Sequence, residues 1–118
     1  MTAFRRIGMW TSNSIAAEPG LGQQHVPAVT VLIPVFNGGP MLQEAVASIL
    51  AQDFTDFECL VINDGSTDGA FDALRTWSDS RLRLVDNPGN LGLITTLNRG
   101  LELARAPLLA RMDADDVA

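Results

Sequence analysis

The sequence predicts an α/β protein with a Rossmann-like, doubly wound sheet of mostly parallel strands. Three short, largely apolar runs at residues 29–33, 57–62 and 108–112, and one alternating run at residues 81–85, are separated by segments of helical periodicity. The connections between them are short, as expected where helices link parallel strands. Of the 118 residues, 47% are apolar and 19% are charged, which is typical of one globular domain.

The first strand and helix are the most regular part of this pattern. Residues 29–33 are mostly β-branched and apolar, which indicates a strand buried on both faces. A loop follows at residues 34–39, and Pro40 is well placed as the first helical residue. The apolar side chains of this helix fall at one face: Leu42, Ala45, Val46, Ile49 and Leu50.

Residues 57–62 predict the second strand, which leads into a polar segment at residues 63–68. The Ser, Thr and Asp side chains of that segment are suited to capping the next helix. Phe71, Leu74 and Trp77 mark the inner face of this second helix. The predicted order is therefore strand, helix, strand, helix.

The third strand, at residues 81–85, alternates polar and apolar side chains at its start, which predicts one solvated face and an edge position. Asn90 is predicted to cap a third helix, and Pro107 to end its pattern. The apolar positions of that helix are Ile94, Leu97, Leu101 and Ala104. Residues 108–112 predict the fourth strand, after which we expect the sheet to be truncated.

Charge and cysteine content exclude several classes of protein. The net charge is −6 and the chain has no Lys, so a nucleic-acid partner is not expected. The single cysteine, Cys59, lies inside an apolar run and is predicted to be a buried, inert thiol. One free cysteine suits a reducing compartment, so we expect a cytoplasmic location, with membrane-peripheral association of the complete protein left open.

The first 27 residues differ from the rest of the chain, since they are rich in Gly, Ser, Thr, Gln and Ala and sustain no periodicity. We predict a disordered N-terminal extension at residues 1–27, with a solvated His25, followed by a domain at residues 28–118. The apolar run at residues 7–10 is too short for a secretory leader, and no membrane span is predicted.

Three polar or glycine-rich segments follow predicted strands, at residues 34–39, 63–68 and 113–116. Because the carboxyl ends of parallel strands share one sheet edge, we expect these segments to form a ligand site. Asp113 and Asp115 are hard oxygen donors suited to Mg²⁺ or Mn²⁺. Carboxylates repel phosphates unless a cation lies between them, but they accept N–H and hydroxyl donors well. A metal-bridged nucleoside diphosphate satisfies both conditions.

Several motifs now carry a family resemblance. They lie in order along the chain at residues 31–37, 48–52, 57–68, 90–92, 97–100 and 112–116. Residues 29–116 thereby resemble the N-terminal, donor-binding half of family 2 glycosyltransferases. These are inverting enzymes with the type A glycosyltransferase fold, also called the nucleotide-diphospho-sugar transferase fold.

The resemblance implies roles for individual residues. Asp64 would accept a hydrogen bond from the base, and Asp113 would reach the ribose or the metal. Asp115 would bind the Mg²⁺ or Mn²⁺ that bridges the diphosphate. Three residues would line the nucleoside pocket: Pro34, Phe36 and Asn37. Phe36 stands where the family often has Tyr, and Asn63 where it often has a second Asp.

The implied reaction is sugar transfer, with inversion, from a nucleoside-diphosphate donor to a glycan or lipid-linked acceptor. A UDP-sugar is the favoured donor, and polysaccharide or glycoconjugate synthesis the expected process. The family's general base lies C-terminal to this region, beyond Ala118, so no catalytic residue is assigned. We therefore expect the chain to be inactive alone, and marginally stable and prone to associate through an uncovered fourth strand.

Two other classes of protein share features with this sequence. A phosphate-accepting receiver domain is also α/β and acidic, but it needs an acidic pair after its first strand and a late Lys. Residues 34–37 provide no such pair, and Lys is absent. A non-catalytic nucleotide-binding fragment remains open.

Overall fold

The computed structural model describes residues 8–11 and 25–114, which contain one sheet and the helices that cover it. The strands are β1 (Gly8–Thr11), β2 (Val29–Val35), β3 (Phe57–Asn63), β4 (Leu82–Asp86) and β5 (Leu108–Arg111). The helices are α1 (Met41–Leu50), α2 (Ala70–Ala73), which continues as a 3-10 turn over Leu74–Thr76, and α3 (Leu93–Leu103).

The strands lie in the order β1-β5-β2-β3-β4, and β2 is the central one. β2 pairs in parallel with β3 and with β5, and β3 pairs in parallel with β4. This confirms the predicted doubly wound, mostly parallel sheet, and it confirms β4 as an edge strand. The order of strands reverses beside β2, which is where open sheets of this kind bind ligands.

Two apolar layers cover the sheet. On one face, alternate side chains of β2 pack against α1 and α2, with Ile33, Leu42 and Phe71 almost completely buried. On the other face, Leu32 and Leu60 pack against α3. β2 is almost entirely apolar because both of its faces are covered, as its sequence predicted.

The second helix is shorter than predicted, and its cap differs in detail. The N-cap position belongs to Gly69, and Asp68 accepts a hydrogen bond from the Ala70 N–H at 3.0 Å. Phe71 and Leu74 are buried as expected, while Trp77 is half-buried against the same layer.

The third helix departs from prediction at its beginning. Asn90 does not cap it, because Gly92 holds the N-cap position and Asn90 donates instead to the Asp64 carbonyl at 3.1 Å. Ile94, predicted to face inward, is 75% exposed. The face of α3 that meets the sheet carries Gly100, where an added Cβ would lie 2.4 Å from Leu32 Cδ2. The buried residues of α3 are Thr96 and Gly100, and Ile94 lies on the side of the helix away from them.

The N-terminal extension is not wholly disordered, so that prediction is wrong for residues 8–11. β1 pairs antiparallel with β5, with Gly8 opposite Arg111 and Thr11 opposite Leu108. The edge of β5 was expected to be uncovered, but β1 pairs with it. An unpaired edge strand offers free N–H and carbonyl groups, and β1 hydrogen-bonds to those of β5. The rest of the extension, up to residue 24, lies outside the described residues. His25 is exposed, and its Nε2 lies 2.6 Å from Asp56 Oδ1.

Candidate functional site

A cavity of about 360 Å³ opens at the carboxyl ends of β2 and β3. This is the sheet edge where the sequence predicted a ligand site. The residues that line it come from the ends of both strands, the loop after β4 and the beginning of α3: Pro34, Val35, Phe36, Asp64, Asn90, Gly92, Leu93 and Thr96.

Asp64 is the one carboxylate in this lining, and it is 5% exposed. Its Oδ1 accepts hydrogen bonds from the Leu91 N–H at 2.7 Å and from Asn87 Nδ2 at 2.8 Å. Its Oδ2 accepts one from the Gly92 N–H at 3.0 Å. Burial by itself would raise the pKa of Asp64, but these hydrogen bonds, together with the nearby Thr96 hydroxyl, outweigh it and hold the pKa below its ordinary value of 3.8.

The Asp64 carboxylate keeps capacity for another donor. Two carboxylate oxygens offer about four acceptor sites, and the hydrogen bonds from Asn87, Leu91 and Gly92 use two on Oδ1 and one on Oδ2. The Thr96 hydroxyl also lies close enough to lower the pKa of Asp64, but its proton is donated to the Gly92 carbonyl at 2.9 Å. Phe36 lines the same cavity with 54% of its surface exposed. An aromatic ring in this position can stack on a flat ligand while the carboxylate binds its polar edge.

A glycine allows the two halves of the site to meet. Gly65 follows Asp64 with a positive φ of 82°. A Cβ at this position would lie 2.9 Å from the Asn90 nitrogen and 3.0 Å from the Gly89 carbonyl carbon. The turn after β3 therefore packs directly on the backbone of the loop at residues 87–92, which only a glycine permits.

Asn37 lies beside the cavity rather than in its lining. It adopts a left-handed conformation with φ of 53°. Its side-chain oxygen accepts hydrogen bonds from the N–H groups of Thr67 at 2.7 Å and Asp68 at 3.2 Å. Its own N–H donates to Ser66 Oγ at 2.8 Å. Asn37 thus joins the loop after β2 to the loop after β3, and its contact with a nucleoside stays a prediction.

The acidic segment after β5 is only partly described. Asp113 is exposed, and its Oδ1 accepts a hydrogen bond from Arg111 Nη2 at 2.9 Å. Asp115 and Asp116 lie outside the described residues. Within the described part of the chain, no three His, Cys, Asp or Glu side chains are grouped so as to hold a metal ion.

Sequence reasoning missed Asn87 and Thr96, which are both buried next to Asp64. Asn87 lies between the predicted third strand and third helix, and its residue type gave no reason to assign it a role. Thr96 was overlooked because the helical pattern was drawn from apolar residues alone. The spacing of Thr96 and Gly100 could have identified this face of α3, because the two residues lie one helical turn apart, beside the apolar positions of the helix.

The structure also bears on the Cys59 thiol and on the character of the helices. Cys59 is completely buried, and burial is the main cause that raises its pKa to about 12, so it is inert as expected. Among the described helices, none combines the length and apolar character that crossing a bilayer requires.

The chain is similar in sequence to known proteins. A family model described as glycosyl transferase family 2 matches residues 30–118. An uncharacterized glycosyltransferase of Haemophilus influenzae is 39% identical over 97 residues, covering 80% of this chain and 30% of that protein. The uncharacterized glycosyltransferase EpsJ of Bacillus subtilis is 30% identical, covering 77% of this chain and 27% of its own length. The chain thus spans less than a third of these two relatives.

Solved structures show the same similarity. The mannosyltransferase PcManGT from Pyrobaculum calidifontis, in complex with GDP-Man and Mn²⁺, matches with a TM-score of 0.70 and 31% identity. That match covers 79% of this chain and 29% of the other. TarS 1-349 of S. aureus, in complex with UDP-GlcNAc, matches with a TM-score of 0.71 and 26% identity over 76% of this chain and 27% of the other.

Proposed function

The chain belongs to glycosyl transferase family 2, and we propose that it forms the donor-binding part of an inverting glycosyltransferase. The observation that carries this proposal is the cavity that holds the ionised Asp64 at the carboxyl ends of β2 and β3. The donor is a nucleoside-diphosphate sugar, with a UDP-sugar favoured, and the acceptor is a hydroxyl of a glycan or lipid-linked molecule. The process is polysaccharide or glycoconjugate synthesis in the cytoplasm.

The chemistry of the cavity fits a nucleoside. Pro34, Phe36 and Leu93 give it apolar walls for the faces of a base. The remaining acceptor site on Asp64 suits a ring N–H or a ribose hydroxyl. Its volume lies at the lower end of the range of small-molecule sites, roughly 300–1,000 Å³. The similar structures with GDP-Man and UDP-GlcNAc support a nucleotide sugar as the ligand.

The acidic segment at residues 113–116 offers the number and kind of oxygen donors that a divalent cation binds. Mg²⁺ is usually held by one or two carboxylates together with substrate phosphates, and Mn²⁺ prefers the same oxygen donors. Asp113 is an exposed carboxylate just beyond β5, and we assign Asp115 as its partner ligand. The Mn²⁺ in the mannosyltransferase structure supports this assignment. A bound cation supplies positive charge that offsets the charge developing on the diphosphate leaving group.

The test is calorimetric titration of the chain with UDP, with and without Mn²⁺. We expect binding that strengthens with Mn²⁺. The Asp64→Asn variant should bind roughly 10- to 100-fold more weakly, because it loses a charge-assisted hydrogen bond and places an amide N–H₂ among N–H donors. Asp53→Asn is the matched control, since Asp53 is exposed before β3 and outside the cavity lining.

Two outcomes would contradict the proposal: no UDP binding by the parent chain with Mn²⁺, or an unchanged affinity in the Asp64→Asn variant. A metal effect that survives Asp115→Ala would overturn the metal assignment alone. These results separate the nucleoside part of the proposal from its metal part.

Transfer also needs a group that deprotonates the acceptor hydroxyl, and no described residue is assigned to that step. We propose that the 118-residue chain by itself binds the donor and forms no product. Incubation with UDP-sugars and acceptors should give no transfer above a control without protein. Metal-dependent transfer would contradict this, whereas binding without transfer would also be the behaviour of a non-catalytic nucleotide-binding fragment.

A further inference from the structure

We propose that Asn87 is a positioning residue of the donor cavity, which fixes the direction of the Asp64 carboxylate and thereby selects bases that carry a ring N–H. The inference rests on the proposed function. Asn87 follows β4, is 7% exposed, and does not line the cavity itself. It acts through Asp64, so it is distinct from the residues expected to touch the ligand.

The contacts of Asn87 use both ends of its amide. Nδ2 donates to Asp64 Oδ1 at 2.8 Å and to Thr96 Oγ1 at 2.9 Å. Oδ1 accepts a hydrogen bond from Arg99 Nη1 on α3. One side chain therefore joins a guanidinium outside the cavity to the carboxylate inside it.

The chemistry of its partners permits one orientation of this amide. The ionised Asp64 only accepts hydrogen bonds, and Arg99 only donates them, so they must face opposite ends of Asn87. The Thr96 hydroxyl donates to the Gly92 carbonyl at 2.9 Å, and it therefore accepts from Asn87. No buried side-chain polar atom in the described residues lacks a partner. Such a satisfied network holds its members in one arrangement.

This arrangement decides which acceptor site of Asp64 remains available. Asn87 and the Leu91 N–H occupy Oδ1, and the Gly92 N–H takes one site of Oδ2. The remaining site on Oδ2 is an acceptor without a proton. Uracil and guanine present a ring N–H to such an acceptor, whereas cytosine and adenine present an unprotonated ring nitrogen that it repels. The cavity should therefore prefer UDP over CDP.

The selectivity ratio tests this role, because a purely structural residue would not change it. We measure the ratio of the CDP and UDP dissociation constants, with Mn²⁺, for the parent chain and for Asn87→Leu. The parent should prefer UDP, and the variant should reduce the ratio roughly tenfold, toward one. Amide hydrogen exchange at Leu91 and Gly92 should accelerate in the same variant, since their acceptor is no longer held in place.

Two further variants complete the design. Arg99→Met serves if Asn87→Leu does not fold. It removes the donor to Asn87 Oδ1, and because Arg99 is only half-buried, the variant should stay folded. It should lower the ratio of the CDP and UDP dissociation constants. Asn98→Leu makes the matched change at an exposed position on α3 and should leave the ratio unchanged.

The outcomes separate this inference from the proposed function. A parent that prefers UDP, together with Asn87 and Arg99 variants that keep the same ratio and exchange rates, overturns the role of Asn87. A parent that binds neither nucleotide overturns the proposed function. In that case the exchange rates at Leu91 and Gly92 still decide whether Asn87 holds the loop against Asp64.

Discussion

Two buried carboxylates lie at opposite ends of β3, and their partners are of different kinds. Glu58, near the beginning of the strand, accepts hydrogen bonds from Thr30 Oγ1 at 2.6 Å and from Arg83 Nη1 at 2.9 Å. It also accepts the backbone N–H of Arg105 at 2.7 Å, and the Arg105 guanidinium lies 3.7 Å away. Asp64, just after the strand, has only neutral donors.

The difference shows that one end of the sheet is stabilised by ion pairs, whereas the other keeps a carboxylate whose charge is not neutralised. Two guanidinium groups neutralise Glu58, and its contacts tie the loop after α3 to the sheet. The neutral dipoles around Asp64 keep it ionised without cancelling its charge. The Arg99 guanidinium donates to Asn87 and to the Asp86 carbonyl, not to Asp64 itself. The negative charge at the carboxyl end of the sheet therefore remains available to a ligand.

The largest effect on stability is expected at the amino end. Glu58→Ala removes the carboxylate partner of Arg83, a loss that costs about 3–5 kcal/mol when fully buried. Arg83 is 26% exposed, so we expect the free energy of unfolding to fall by about 2–3 kcal/mol. Urea denaturation measures it, with exposed Glu102→Ala as the control. A loss no larger than that of the control would show that Glu58 is not a structural anchor.

A smaller effect, confined to the carboxyl end, is expected from Gly65→Ala. A Cβ there would meet the Asn90 backbone, and φ is positive, so we expect a loss of about 2 kcal/mol together with weaker UDP binding. Gly69→Ala is the matched control, because φ is 79° but nothing lies within 4 Å of the added Cβ. It should cost about 1 kcal/mol and leave UDP affinity unchanged. Equal effects of the two variants would argue against close packing of the loop at residues 87–92.

The smallest effect is a dependence of stability on pH that belongs to Asp64. Because folding lowers its pKa, its ionised form stabilises the fold above the ordinary value of 3.8, and this contribution is lost as pH falls through the lowered value. The difference in unfolding free energy between the parent and Asp64→Asn should be constant from pH 7 to 5 and shrink below pH 4, where both are measured by urea denaturation. A difference that grows as the pH falls would mean that folding raises the pKa of Asp64 rather than lowering it.

The sequence predicted those features that depend on local periodicity. The four parallel strands and α1 have patterns of burial that neighbouring residues reveal, and Asp64 stood out because it follows a strand directly. The partners of Asp64 could not be read in the same way. Asn87, Leu91 and Gly92 lie more than twenty positions away, and two of them contribute only their backbone N–H.

The errors have the same physical origin. β1 exists through its pairing with β5, about a hundred positions away, and its four residues carry no pattern of their own. The orientation of α3 depends on the contact between Gly100 and Leu32, which no local rule anticipates. The network around Glu58 was missed because a charged residue in a strand suggests a solvated face, whereas here its cations come from β4 and the loop after α3.

The pairing of β2 also sets an order of assembly during folding. Val29 pairs with Phe57 on one side and with Leu108 on the other, so the second pairing closes a far longer loop. Closing longer loops costs more chain entropy and slows folding, and β5 should join the sheet after β3. The cavity draws on β2, β3 and the beginning of α3, whereas Asp113 reaches the sheet edge only with β5. We therefore expect the cavity around Asp64 to form before Asp113 reaches the sheet edge.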